Sequence, residues 1–394
     1  MYLDFDPLAH KESYAYFKNI KVKKDFFGEA HAPFIGRYGY PEVNVGILAP
    51  QDIKNTAEYD APKEWARKNL QIPTIINYRS ALVNSRFKAH IKVGRNRFLE
   101  IAKEVGMASK PVEVEINLQK IPSVRMFSDN YAAPTGPAGV LEKAKITANS
   151  KISKKVEYIV NDIDLKAAEG LTTLYNKGFD ENFLSRLLSV GNLGLEKNRK
   201  LVPTRWSITA TDTTLGNNLL QKVKDAPELD TYQAYFDGYL GNYFLILFMP
   251  DSWQYELFET MMPSNPPKLL RYTTDYEPFQ GRKKYAEETA GGFYATRLAV
   301  LERLTKLKRQ ASVLVLRYIT TEYHAPLGVW VVREAVRRSL SSNPLTFSSK
   351  ELLLQYAEQF VKKKFGWDTQ PLISASLLLK NYKKQTKLSS FFNN

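Results

Sequence analysis

The chain has 394 residues, 44% apolar and 12% aromatic, enough for two or three domains with buried cores. Lysine and arginine number 56 against 41 aspartates and glutamates, a net charge of +15, and the absence of cysteine excludes disulfides, thiolate catalysis and cysteine-ligated zinc. His10, His31, His90 and His324 never fall at i, i+4 spacing, and no window approaches the roughly 18 uninterrupted apolar residues of a membrane span.

The N-terminal MYLDFDPLAHKES places two aspartates and a proline where a secretory leader needs a basic and then an apolar stretch, so no leader is expected. Residues 1–130 mix short runs as an α+β body does: Asp52 to Lys68 reads as broken helix, and Val112 to Ile121 alternates as a half-buried strand. Residues 131–158 open on Pro and Gly and turn lysine-rich, the composition of a connector or exposed loop. From 159 to 380 a C-terminal α/β body is expected. It begins with two helices between Ile159 and Leu195, the second capped by Asp180 and stopped at Gly191.

Strands are expected in TRWSITATD (Thr204 to Asp212) and YFLILFM (Tyr243 to Met249), then an irregular crossing from Pro263 to Tyr285. A helix over Phe293–Gln310, the strand SVLVLRYIT, and helices over Gly328–Leu340 and Ser348–Phe365 follow, with 381–394 as a flexible tail. The fold class expected is mixed α/β (α+β) and irregular, with neither a P-loop nor a regular Rossmann pattern.

The charge excess favours a polyanionic partner. With no membrane segment or basic amphipathic anchor, nucleic acid fits better than solubilising surface charge alone. APFIGRYGYPEVNVG sets Arg37, Tyr38, Tyr40 and Pro41 among Gly36, Gly39 and Gly46, where backbone can approach a phosphate or nucleotide closely, although a tight structural turn has the same composition. LVPTRWSITATD places Arg205 beside Trp206, a pair able to clamp a phosphate and stack a base; a core tryptophan is the plainer reading. In GGFYATRLAVLERL, Gly291 and Gly292 precede a helix whose Leu298, Leu301, Leu304 and Leu307 form the buried stripe, leaving Tyr294, Arg297 and Arg303 for a site. Arg333, Arg337 and Arg338 stand at helical spacing for phosphate contacts, or simply coat a solvated helix.

The last twelve residues, KKQTKLSSFFNN, pose the opposite problem: two phenylalanines in a polar tail that has no core of its own. Gln385, Leu388, Phe391 and Phe392 would form one apolar plug if the chain winds into a single helical turn. The spacing resembles the PIP box, by which repair proteins dock on the sliding clamp PCNA, and average residue usage produces it at roughly one position in ten thousand.

Together GRYGYPEVNVG, LVPTRWSIT, GGFYATRLAVLERL, PLGVWVVREAVR and QTKLSSFF resemble the archaeal Nre family of DNA-repair proteins, from about residue 28 to the end. The resemblance implies a role in the response to DNA damage together with PCNA, in an archaeal cytoplasm at the nucleoid. Many members carry a four-cysteine zinc module that this chain lacks, so no zinc is expected.

Three functions follow from these readings. The first is a repair factor that binds DNA, single-stranded or branched, through the basic body and reaches PCNA by its tail. The second is an enzyme on DNA or on an ADP-containing nucleotide, joining Arg37, Tyr38, Arg205, Asp212, Tyr294, Arg297, Glu322 and Arg333 in one pocket. Its nuclease form would need Mg²⁺ on Asp251, Glu256 and Glu259, a group without a recognisable metal spacing. The third is an adaptor between PCNA and another protein, with no DNA contact of its own.

Overall fold

The computed structural model describes residues 22–92, 94, 96–122, 133–262 and 271–384. Contacts divide these into an N-terminal unit, up to Leu215 with His324–Val331, and a C-terminal unit, Gly216–Tyr323 with Val332 onward.

The N-terminal unit is built on strands β1 (Asp25–Ala30), β2 (Ala32–Ile35), β3 (Glu42–Ala49), β4 (Val83–His90), β5 (Val112–Leu118) and β6 (Ala138–Ile146), ordered β1-β5-β6-β4-β3-β2. All neighbours are antiparallel except β4 and β6. VEVEINL alternates as expected: Val112, Val114, Ile116 and Leu118 are buried on one face, with Val43, Val45 and Ile47 of β3 and Phe87 of β4. Helices α1 (Pro62–Arg67), α2 (Ile72–Ser80) and α3 (Arg97–Met107) follow, and α3 closes that core with Leu99, Ala102 and Val105. The other face of β2–β4 carries Phe34, Asn44, Gly46, Asn84, Arg86 and Lys88.

Three helices, α4 (Lys154–Asn161), α5 (Ala167–Asn176) and α6 (Glu181–Ser189), occupy the stretch expected to hold two. Asp180 caps α6 as anticipated, its Oδ1 accepting from Asn182 N and Phe183 N, both at 2.9 Å.

Two expectations fail here. The proposed connector contains β6, which pairs with both β5 and β4. A bulge at Glu142, where Leu118 faces Leu141 but Asn117 faces Lys143, breaks the alternation that would have revealed it. Thr204–Asp212 is not a strand but the start of α7 (Thr204–Lys224). Ser207, Thr211, Leu215, Leu219 and Val223 are buried every fourth residue, a helical stripe disguised by hydroxyls. Of the stripe hydroxyls, Ser207 Oγ donates within the helix to Thr204 O at 2.9 Å; on the adjoining side Thr213 Oγ1 donates to Thr209 O at 2.7 Å.

In the C-terminal unit, β7 (Tyr232–Tyr239), β8 (Asn242–Met249), β9 (Gln254–Met262), β10 (Tyr272–Glu277), β11 (Ser312–Thr320) and β12 (Leu345–Phe347) run in the order β10-β9-β11-β8-β7-β12. Only β9 and β11 are parallel neighbours. β10 lies inside the crossing expected to be irregular, whose residues 263–270 are outside the described residues. YFLILFM and SVLVLRYIT are apolar on both faces, with Arg317 the one buried charge between them, because both faces of the sheet are covered. Helix α8 (Ala290–Leu307) packs on one face, where it meets α9 (Trp330–Ser341) through Glu302 and Arg337, and α10 (Lys350–Phe365), α11 (Gln370–Ala375) and α12 (Leu377–Lys384) on the other. Two six-stranded mixed sheets and twelve helices among the described residues make this an α+β fold.

Candidate nucleic-acid interface

The β2–β3 connection, GRYGYP, is held at both ends: Gly36 N donates to Asn44 O at 2.8 Å, and Glu42 N to Gly39 O at 2.8 Å. Gly39 has φ +84, and a Cβ there would come within 2.7 Å of Glu42 O. The tight turn, which includes a cis Tyr40–Pro41 bond, turns its aromatics outward: Tyr38 is 66% exposed and Tyr40 44%. Arg37 lies 4.8 Å over the Tyr38 ring and donates from Nη2 to its hydroxyl at 3.0 Å. Among the described residues its guanidinium has no carboxylate, and Nε has no partner at all.

The first turn of α7 joins this loop. Ile35 N, on the edge strand, donates to Thr204 Oγ1 at 2.8 Å, and Trp206, 45% exposed, stands 5.3 Å from Tyr40 at a 58° tilt. Arg205 precedes Trp206 on the same turn, and that turn has no acidic residue. One strand further, Lys88 pairs with Asn44 and Arg86 with Gly46 across the sheet, placing two more cations about 10 Å from Gly36 with no carboxylate among the described residues. Burial holds the pKa of Arg86 below that of a free guanidinium. Aromatic faces, unpaired guanidinium and an acid-free helix start can stack bases and neutralise phosphates.

The arginines expected to share a site from the other half are engaged inside the C-terminal unit. Arg297 is buried, its Nε 2.7 Å from Glu277 Oε2 and its Nη2 2.8 Å from Oε1. Arg337 donates to Glu302 at 2.9 and 2.7 Å and to Glu334 at 2.6 Å. Arg333 is 2% exposed, and the buried Tyr294 hydroxyl accepts from Ala286 N at 2.9 Å. Glu322 accepts from Tyr243 at 2.9 Å, and Asp212 is buried on α7.

Gly291 and Gly292, expected just ahead of the helix, lie in the first turn of α8, which the protein's own carboxylates face. A Cβ on Gly292 would come within 2.3 Å of Glu259 Oε1, and Asp275 Oδ2 accepts from Thr289 N at 2.8 Å. Glu259 in turn pairs with Arg317, which also reaches Asn242. Glu256 points to the opposite face of β9, and the described residues contain no group of three His, Asp or Glu able to hold a metal.

Two networks were not anticipated. One is Arg317–Glu259–Asn242, whose members lie too far apart in sequence to be linked by pattern. The other is a relay in the N-terminal unit: His31 Nε2 lies 2.8 Å from Thr56 Oγ1, which donates to Glu29 Oε2 at 2.6 Å. An ionised Glu29 only accepts, so neutral His31 carries its proton on Nε2. Burial lowers the His31 pKa to about 4. Arg86 and Lys88 were also missed as site residues, although VNSRFKAH alternates and so puts both on one face. Gln385, Leu388, Phe391 and Phe392 lie outside the described residues, and among the described residues no helix is long and apolar enough to cross a membrane.

The family model for archaeal Nre, N-terminal, matches residues 7–266, and that for archaeal Nre, C-terminal, matches 277–391. DNA repair protein NreB of Archaeoglobus fulgidus is 33% identical over 371 residues, covering 93% of this chain and 92% of its own. DNA repair protein NreA of Haloferax volcanii is 34% identical over 84% of each chain, and NreA of A. fulgidus 35% identical over 97% of this chain and 94% of its own. No solved structure matches. Two family models that together span nearly the whole sequence, and relatives at a third identity over most of both chains, leave one assignment: the chain belongs to the archaeal Nre family.

Proposed function

We propose that the chain is a DNA-damage repair factor that binds unpaired or branched DNA through the Tyr38–Tyr40–Trp206 surface and is recruited to the sliding clamp PCNA by QTKLSSFF. The observation that carries the DNA reading is the exposed aromatic group with Arg37 unpaired beside it. Three large rings left in water, two on the β2–β3 turn and one at the start of α7, lose apolar burial, a loss offset when bases stack on them. Single strands and the arms of forks expose such bases, whereas intact duplex hides them. A net charge of +15 supplies the long-range attraction. The repair context is supported by relatives that carry the name DNA repair protein.

Fluorescence anisotropy against single-stranded, forked and blunt duplex DNA over a salt series tests the DNA half. Tighter, salt-dependent binding to single-stranded and forked DNA is expected, and equal binding to all three would overturn the stacking account. For recruitment, Phe391→Ala/Phe392→Ala should abolish binding in a clamp titration, since paired aromatic anchors are hot spots. Unchanged affinity would sink it.

A further inference from the structure

Helix α12 ends where the tail motif begins. Its first turn is tied to the middle of the sheet by Glu256 of β9, a fully buried carboxylate that accepts from Ser376 Oγ and from Leu377 N and Leu378 N, each at 3.0 Å. Its last turn is fastened too. Asn381 Nδ2 donates to the Tyr276 hydroxyl at 3.0 Å, and the Tyr382 hydroxyl donates to Pro250 O at 3.2 Å and meets the Tyr232 hydroxyl at 3.0 Å. Leu378 and Leu379 are buried in the core beneath α10. The outward side of α12 is Leu377, half exposed, with Lys380 and Asn381.

Gln385 follows three residues after Tyr382, so a fully extended chain separates them by at most about 10 Å. The helix continues to Lys384, which shortens that reach further. A recruitment peptide on a flexible linker lets its domain wander; this one has no linker.

We infer that the outward side of α12, Leu377, Lys380 and Asn381, is a second contact surface for the protein that takes the tail, so that the C-terminal unit is docked on that partner rather than tethered to it. The inference rests on the recruitment reading above, in which that partner is the sliding clamp. Any surface that holds Gln385 brings the α12 side of the C-terminal unit within about 10 Å of itself, so the exposed face of that helix is the part of the unit best placed to meet it.

Because the chain has no cysteine, Lys380→Cys in the full-length protein carries a single nitroxide, and Lys306→Cys on α8, across the sheet, gives the control. Each is titrated with the clamp of the same organism, and collisional access of a soluble relaxation agent is read. The expected result is a several-fold loss of access at position 380, none at 306. A Gly/Ser insertion of about 15 residues after Lys384, which adds roughly 20 Å of reach, should keep clamp binding and restore access at 380. Clamp binding with position 380 fully accessible overturns the inference and leaves recruitment standing. Absence of clamp binding by the full chain and by a tail peptide alike overturns both.

Discussion

Arg37 and Arg297 look alike in the sequence, each within three residues of an aromatic and close to glycines, yet one stands half-buried without a carboxylate in the N-terminal unit and the other is sealed against Glu277 in the C-terminal unit. The difference is topological. GRYGYP is a six-residue hairpin connection that turns Tyr38 and Tyr40 outward and brings no carboxylate to Arg37 among the described residues, whereas α8 lies on a sheet that presents Glu259, Asp275 and Glu277 to it. A basic cluster acquires its role from the strand it faces, not from its own composition.

The comparison breaks most visibly by stability. Arg297→Met leaves Glu277 buried without its cation, and urea unfolding should register a loss of about 3–5 kcal/mol. Arg37→Ala, at an exposed turn, should stay within about 0.5 kcal/mol of the parent protein.

His31 offers the next largest effect. Unfolded, it takes up a proton near pH 6.5; folded, only near 4, so its contribution is complete above pH 6.5 and lost as pH falls toward 4. The loss amounts to about 3 kcal/mol. His31→Asn should flatten that part of the stability profile, and an unchanged profile would mean that the ring is solvated.

Stacking should rank third. Trp206→Ala is expected to weaken single-stranded DNA binding by about 1–3 kcal/mol in anisotropy, with little change in unfolding free energy. Asp180→Ala, which removes the α6 cap, should cost about 1 kcal/mol of stability and leave DNA affinity alone.

Local signals were legible wherever they were strong. The Asp180 cap, the alternation of VEVEINL and the apolar runs YFLILFM and SVLVLRYIT each specify their element without help. Thr204–Asp212 was not legible, because Ser207 and Thr211 fill buried helical positions with hydroxyls while Ile208 and Thr209 suggest a strand. β6 was hidden by its bulge and by lysines on its outer side. Of the candidate site, the residues of the turn and of Arg205–Trp206 could be named from sequence, but not their juxtaposition through Ile35 and Thr204, which are 169 residues apart. The pairing of Arg297 with Glu277 and of Arg337 with Glu302 was equally invisible, since those carboxylates come from other elements.

The most direct test of the account sets two arginines side by side: salt-series anisotropy of Arg37→Ala and Arg337→Ala on single-stranded DNA. Arg37 should lower the slope of log affinity against log salt by about 1, while Arg337, saturated by Glu302 and Glu334, should leave it unchanged. Equal slopes in both variants and the parent, or a loss confined to Arg337, would contradict the assignment of the DNA surface to the β2–β3 turn.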